Sequence, residues 1–573
     1  MFQPSVRARL IVLALLALVL VAGVAPAGAQ APERPNVLVL MTDDQTADSL
    51  AVMPNVQQLL MAQGTTFDRS FVNFSLCCPS RATYLTGQYT HNHGVRGLAP
   101  PIGGYTRLDA SNYLPQWMRE AGYLTAHLGK YLNGYGLNNL DPREVPSGFD
   151  DWHGSIDPTT YEFFHYTLND NGRLNAHGTG GPPPVYQTDF YASRASELIT
   201  DYAASGRPFY FTVAFVGPHH GGPREVDDPG AIRTPAVAPR HRDQFAGVPL
   251  PQPPNFNEAD VSDKPATIRR RPPFTPERIA QIQEAYQQRL ESLMSVDDAV
   301  GQIMSTLERT GELQNTLVIF TSDNGFLHGE HRVGFGKVYL YEPSIRVPLI
   351  MRGPGVPAGQ RRRQLVTNAD LSPTILDATG ARAGKPQDGR SLFPLLRDRA
   401  LEWGRDVLIY GRNPRYNAIR TYRYVYARHA SGETELYDLR RDPFELNNLN
   451  ADPRYRLVRN ELSRRLRTLA ACVGPDCYAG PRLSLRLRAR AGCVPAPVRV
   501  RLEGLDRRLV ARTAYFVRGR RTAQARGPRA VADRLLHGAP VPRGRRFRLR
   551  ARVSLRDGRV VTLDRRPRAC RAG

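Results

Sequence analysis

The chain has 573 residues, a formal net charge of +24 and six cysteines. That length excludes one ordinary hydrophobic core and predicts two or three domains. The charge is not spread evenly: residues 481–573 carry 27 arginines, no lysine and five acidic residues, so the remainder is close to neutral. The basic field therefore belongs to the tail and excludes net charge as an argument about chemistry elsewhere in the chain.

At the N-terminus, Arg7 and Arg9 precede an apolar run from Leu10 to Val21, and Ala27-Gly28-Ala29 offers a small-residue cleavage site. The pattern predicts a secretory signal peptide over residues 1–29, and hence a secreted, extracellular or periplasmic protein. An uncleaved anchor is the other reading, although the run is short for a spanning helix. No later stretch is long and apolar enough to span a membrane.

Asn36 to Met41 is a short apolar run that ends in Thr42-Asp43-Asp44-Gln45. It predicts a parallel strand buried on both faces, with two carboxylates at its C-terminal end, where open α/β sheets bind ligands. A hard divalent cation is one partner for adjacent aspartates; a turn or a helix cap is the other reading. Far downstream, Thr316 to Thr321 leads in the same way into Ser322-Asp323-Asn324-Gly325. Asp43, Asp44, Asp323 and Asn324 together form an all-oxygen set suited to Ca²⁺ or Mg²⁺ rather than zinc.

Between these strands lies Cys77-Cys78-Pro79-Ser80-Arg81-Ala82-Thr83-Tyr84-Leu85-Thr86-Gly87. Pro79 suits a first helical turn and Gly87 a helix end, so Cys77 is expected at a helix N-terminus, an anion-favouring position. Arg81 adds a planar fork for a tetrahedral oxyanion. A buried structural cysteine pair ahead of an ordinary helix is the alternative.

The run C-x-P-S-R followed by L-T-G resembles the signature of the type I sulfatases. In that family the first cysteine is oxidised to formylglycine, the catalytic residue, by a formylglycine-generating enzyme. Only Cys77 has the matching spacing. The resemblance implies that Asp43, Asp44, Asp323 and Asn324 ligate Ca²⁺ (or Mg²⁺) beside residue 77. It also implies an alkaline-phosphatase-like α/β fold, with a large mostly parallel sheet flanked by helices and a smaller C-terminal antiparallel sheet. Lys130, in Gly129-Lys130-Tyr131-Leu132-Asn133, resembles the lysine that contacts sulfate. Many sulfatases carry a histidine two residues later, where this chain has Leu132; His91 or His93 could take its place, although a capping or core role suits them equally. His219, after Pro218, resembles a sulfate-binding histidine that can protonate the leaving oxygen, and Lys337 a second active-site lysine.

Residues 221–273 have little periodicity and read as an insertion that shapes the substrate cleft. Thr275-Pro276 then starts a helix whose apolar face includes Ile282, Tyr286, Leu290, Leu293, Val300 and Ile303; Asp297 either breaks it or binds near the site. Segments at 368–376, 389–392 and 435–449 also resemble late sulfatase segments, so the catalytic domain is expected over 34–471, with a smaller subdomain from about 365. Residues 481–573 alternate apolar and basic residues in short runs and predict an Arg-rich, Ig-like all-β module. Its basic face suits an anionic glycan or envelope polymer, or no specific partner; nucleic acid is not expected. Four C-terminal cysteines allow three pairings; position favours Cys472 with Cys477 and Cys493 with Cys570.

The wording C-C-P-S-R, H-N-H-G-V and G-K-Y-L-N is similar to N-acetylglucosamine-6-sulfatases and heparan sulfatases. It implies a sulfated amino sugar or glycosaminoglycan substrate. An arylsulfatase, choline-sulfatase, phosphonate or phosphodiester hydrolase activity is the enzymatic alternative. An unconverted, non-catalytic glycan-binding protein is the alternative of another class.

Overall fold

The computed structural model describes residues 34–571 apart from 138–139, 179–184, 402, 413, 479–482, 491, 505–506, 508 and 557–559. The expected signal peptide lies outside the described residues.

Ten strands form the main sheet. They are β1 (Asn36–Thr42), β2 (Thr65–Phe67), β3 (Leu124–Gly129), β4 (Asp151–Ser155), β5 (Thr167–Asp170), β6 (Arg173–Ala176), β7 (Phe209–Ala214), β8 (Thr316–Ser322), β9 (Leu349–Arg352) and β10 (Gln360–Arg362). Their order is β10-β2-β9-β8-β1-β7-β3-β4-β5-β6. The five central strands, β8-β1-β7-β3-β4, run parallel, while β9 and the β5–β6 hairpin add antiparallel edges. The sheet is thus mixed: a tight hairpin joins β5 to β6 and reverses the chain without a crossover helix, while β9 runs antiparallel to both β8 and β2.

The burial of β1 explains its unbroken apolar run. Val37, Val39 and Met41 enter one core with Trp117, Trp152 and Leu371, whereas Leu38 and Leu40 enter the opposite core with Tyr191, Val300 and Ile303. Successive side chains point to opposite faces, and here both faces are covered. Helix α1 (Cys77–Thr86) is wholly buried and stops at Gly87, whose φ of 65° lies in the left-handed region. Helix α2 (Gln187–Ser205) packs on helix α3 (Pro276–Arg309). Thr275 caps α3 by accepting from Arg278 N at 3.2 Å. Asp297 does not break α3. Its carboxylate accepts from the backbone N–H groups of Asn55 and Val56, both at 2.9 Å, and holds the segment at Val56–Met61 in place.

A four-stranded antiparallel sheet follows, from Val407 to Asp438. One face packs on the helix Arg456–Leu469. Ahead of this sheet, Leu371, Ile375, Leu392 and Leu396 pack into the core of the large sheet. Beyond it, two antiparallel sheets of three and four strands enclose a separate core that includes Val498, Val500, Tyr515, Leu549 and Val553. Disulfides join Cys472 to Cys477 and Cys493 to Cys570, the pairing favoured by position. No helix among the described residues is long and apolar enough to cross a membrane.

Candidate active site

The site forms where parallel strands end. β1 and β8 are paired in register up to Thr42 and Ser322, so the two acidic turns that follow are brought side by side. Asp44 N donates to Asp323 Oδ1 at 3.2 Å, and Asn324 Nδ2 donates to Asp44 Oδ1 at 2.5 Å. Asp44 has a φ of 68°, a left-handed conformation unusual for a residue with a side chain, as occurs where function over-determines the backbone. The N-terminus of α1 points Cys77 into the same place, and Cys77 Sγ lies 3.3 Å from Asp43 Oδ1.

The cations close the ring. Lys130 follows β3 and pairs with Asp43 through Nζ. Gly129 permits this exit: its φ is 96°, and an added Cβ would lie 2.3 Å from Ala214 O. Lys337 Nζ pairs with Asp44 and lies 2.8 Å from Cys77 Sγ. Arg81 donates through Nε to Asp323 Oδ2 at 2.8 Å and through Nη1 to Lys130 O at 2.6 Å. Its Nη2, 3.6 Å from Asp43 Oδ2, has no hydrogen-bond partner. His219 Nδ1 donates to His220 O at 2.7 Å, which leaves Nε2 facing Asp44 Oδ2 at 3.8 Å.

Electrostatics separate the three carboxylates. Burial pushes the Asp43 carboxyl up, but Lys130, His219, Arg81 and Lys337 outweigh it and hold it well below the usual range. Asp44 is also lowered, against burial, chiefly by Lys337 and His219. Asp323 is instead raised, by burial and then by the Asp43 charge. Burial, with Asp43 next, pushes the Cys77 thiol far up, so the unmodified thiol is protonated and a poor nucleophile.

The residues fit a divalent cation. Asp43, Asp44, Cys77 and Asp323 offer ligand atoms within 4.8 Å of one another. Asp44 Oδ2 and Asn324 Oδ1 are buried oxygens with no partner, which a cation would satisfy. The donor set is rich in hard oxygen, as Ca²⁺ and Mg²⁺ require.

Asp43, Asp44, Cys77, Arg81, Lys130, His219, Asp323, Asn324 and Lys337 gather here; His91 and His93 do not. His91 is held by Tyr410 OH and by Cys472 O, and His93 by Thr83 Oγ1 and Val95 N. Their ring nitrogens are spent on the fold, so neither replaces the histidine absent at Leu132, which is itself core. Cys78 is likewise core.

Sequence reasoning missed Arg289. It is buried on α3, donates to Asp44 O at 2.5 Å and Pro218 O at 2.8 Å, and stacks 4.0 Å from the Phe326 ring. It therefore ties the acidic turn to the His219 loop. Its signal was present, since Ile282, Arg289 and Val296 recur at seven-residue spacing on the buried face. Tyr161 was also missed; its ring lies 4.8 Å from Lys130 Nζ and 4.7 Å from His219. Beside the site, Thr46, Asp48, His328 and residues 250–253 of the insertion line a cavity of about 1180 Å³, which Leu555 and Val560 of the C-terminal module also border.

Residues 35–381 match the Sulfatase family model, and residues 329–471 match the model of the N-sulphoglucosamine sulphohydrolase C-terminal region. The chain belongs to the sulfatase family. It is 33% identical over 495 residues to the N-acetylglucosamine-6-sulfatase of Homo sapiens, covering 78% of this chain and 86% of that protein. It is 33% identical over 519 residues to the arylsulfatase of Volvox carteri, covering 81% of this chain and 78% of that protein. Its fold is shared by a solved protein bound to its substrate D-glucosamine-2-N,6-O-disulfate, with a TM-score of 0.63, 23% identity, and coverage of 76% of this chain and 97% of that one. This sulfatase is therefore a hydrolase of sulfate esters.

Proposed function

We infer that this sulfatase is exported, carries formylglycine at position 77 beside a divalent cation, and removes O-sulfate from sulfated amino sugars or glycosaminoglycan-type glycans. One observation carries the reading: Asp43, Asp44 and Asp323 bring ligand atoms within 4.8 Å of residue 77, and buried oxygens of Asp44 and Asn324 have no partner. Buried carboxylates at such spacing are costly unless positive charge sits among them. The fixed cations Lys130, Arg81 and Lys337 supply part of it, and Asp323 remains raised.

Asp43, Asp44, Asp323 and Asn324 would hold the ion, with residue 77 completing the shell. With the thiol converted to a hydrated aldehyde and the cation bound, the pair supplies one activated hydroxyl for attack on sulfur and a second for release of the enzyme. The other steps fall to the chain's own residues. Lys337, in contact with residue 77, and Lys130, beside it, are fixed positive charges for the sulfate oxygens. Arg81 braces Asp323 and leaves only Nη2 for further work. His219, oriented by the His220 carbonyl, presents Nε2 as the atom that exchanges a proton with the departing alcohol. Two disulfides and the N-terminal leader pattern support export. The name of the human relative supports an amino sugar.

The test is sulfate release from p-nitrophenyl sulfate and from N-acetylglucosamine-6-sulfate, by protein co-produced with a converting enzyme and supplied with Ca²⁺. Turnover of the sugar ester, lost in Cys77→Ala, is the expected result. Converted, metal-loaded protein that releases sulfate from neither ester would sink the reading.

A further inference from the structure

A cavity of about 380 Å³ opens between the loop 96–102 and the hairpin whose strands are Val407–Arg412 and Arg415–Arg420. Arg96, Arg412 and Arg415 line it, together with Phe74 and Tyr410, and no carboxylate does. Among the described residues none of the three guanidiniums has a carboxylate partner, although exposed arginines elsewhere do: Arg361 pairs with Asp68 and Arg346 with Asp48. Three cations around one small cavity repel each other unless an anion is shared among them.

The cavity is built rather than incidental. Arg96 N donates to Ile102 O at 2.7 Å and Gly104 N to Gly97 O at 3.2 Å, which fixes the loop. The Arg412 guanidinium lies against Gly97, where an added Cβ would come within 2.6 Å of Nη1. Glycine at 97 thus leaves the space that Arg412 fills. One lining residue ties the cavity to the reaction centre: Phe74 precedes Cys77 by three residues, so their Cα atoms are at most about 11 Å apart.

We propose that this cavity is an ancillary anion subsite, in which Arg96, Arg412 and Arg415 hold a second sulfate or carboxylate on the sugar next to the one that is desulfated. The inference rests on the sulfated-glycan reading and narrows it: the enzyme prefers chains with several anionic groups to a single sulfated sugar. Arginine forks suit planar or tetrahedral oxyanions through paired hydrogen bonds.

The experiment uses the full chain, with Arg412→Ala, Arg415→Ala and the double variant, each checked for an unchanged melting curve. Kinetics are read on a sulfated heparin-derived tetrasaccharide and on p-nitrophenyl sulfate, and equilibrium binding of the tetrasaccharide is measured at several salt concentrations. The expected result for the double variant is a rise of about tenfold or more in KM and Kd for the tetrasaccharide, a shallower salt dependence, and unchanged turnover of the aryl ester. Inorganic phosphate at millimolar concentration should not reproduce the effect; if it competes equally with the tetrasaccharide, the cavity is a simple phosphate site and the proposal falls. Unchanged KM and Kd for the tetrasaccharide in the double variant would overturn it as well. Weakened tetrasaccharide binding in a protein whose wild type cleaves no ester would instead uphold the subsite and refute the catalytic reading.

Discussion

Arg289→Met removes the buried guanidinium that ties the acidic turn to the His219 loop, while keeping a side chain that can lie on Phe326. Two carbonyls, Asp44 O and Pro218 O, would lose their donors. Hydrogen bonds from a charged donor contribute about 1.5–3 kcal/mol each, so the gross loss is about 3–6 kcal/mol. Part of that is returned, because among the described residues no carboxylate pairs with Arg289 directly, and burial, only partly offset by the Asp44 and Asp43 charges, pulls its guanidinium down to about 10. A net destabilisation of about 2–4 kcal/mol follows. Activity should fall further than stability suggests. Asp44 sits at a φ of 68°, and without its brace the turn can relax to an ordinary conformation, carrying the Asp44 carboxylate off position. Misplacement by about 1 Å costs on the order of 10²-fold in rate. Urea denaturation and kcat/KM for an aryl sulfate, both at saturating Ca²⁺, check the two figures separately. A variant with wild-type stability and wild-type kcat/KM would refute the reasoning that Arg289 positions the site.

Removal of divalent ions by a chelator should abolish sulfate release and lower the melting temperature, and Ca²⁺ should restore both; full activity after exhaustive chelation would contradict the cation site. Glu291 is pushed up to about 7, by burial first and then by Asp243 and Glu284, against a usual value of 4.5. Between those values the folded protein binds more protons than the unfolded chain, so this residue makes stability fall as pH rises from about 4.5 to about 7; Glu291→Gln should flatten that slope in denaturation curves, and an unchanged slope would remove Glu291 as its cause. The disulfide between Cys493 and Cys570 spans 77 residues. By the chain-entropy relation its loss costs about 4.5 kcal/mol, so Cys493→Ala with Cys570→Ala should melt the C-terminal sheets early without changing kcat on an aryl ester. A single unchanged transition would contradict a separately stabilised core there.

Much of the site was legible because its chemistry is carried by short local signals. An apolar run that stops at Asp43-Asp44, and another at Asp323-Asn324, announce strands that end on oxygen ligands, and β-sheet register does the rest. Cys77-x-Pro79 and Gly87 likewise mark both ends of one helix. The fold was less legible at its edges. Parallel strands identify themselves by continuous apolar residues, whereas the β5–β6 hairpin is short and half-exposed, with no such run. Roles decided by long-range contact were hidden. Asp297 looked equally like a helix breaker and a site residue, and only its contact with residues 55 and 56 shows that it caps another segment. Arg289 was read past because helical periodicity reports burial, not which carbonyl a buried cation meets. His91 was open for the same reason, since its partners Tyr410 and Cys472 are more than 300 residues away; His93 instead bonds locally, to Thr83 and Val95.

The central claim is that residue 77 works as an aldehyde rather than as a thiol. Burial first, and then the Asp43 charge, push the thiol far up, which works against the unmodified side chain as a nucleophile. The most direct test is the mass of the proteolytic peptide containing residue 77, taken from protein made in its own host. The account predicts the aldehyde, or its hydrate, in the active fraction. A peptide that retains the thiol in protein fully active on sulfate esters would contradict it.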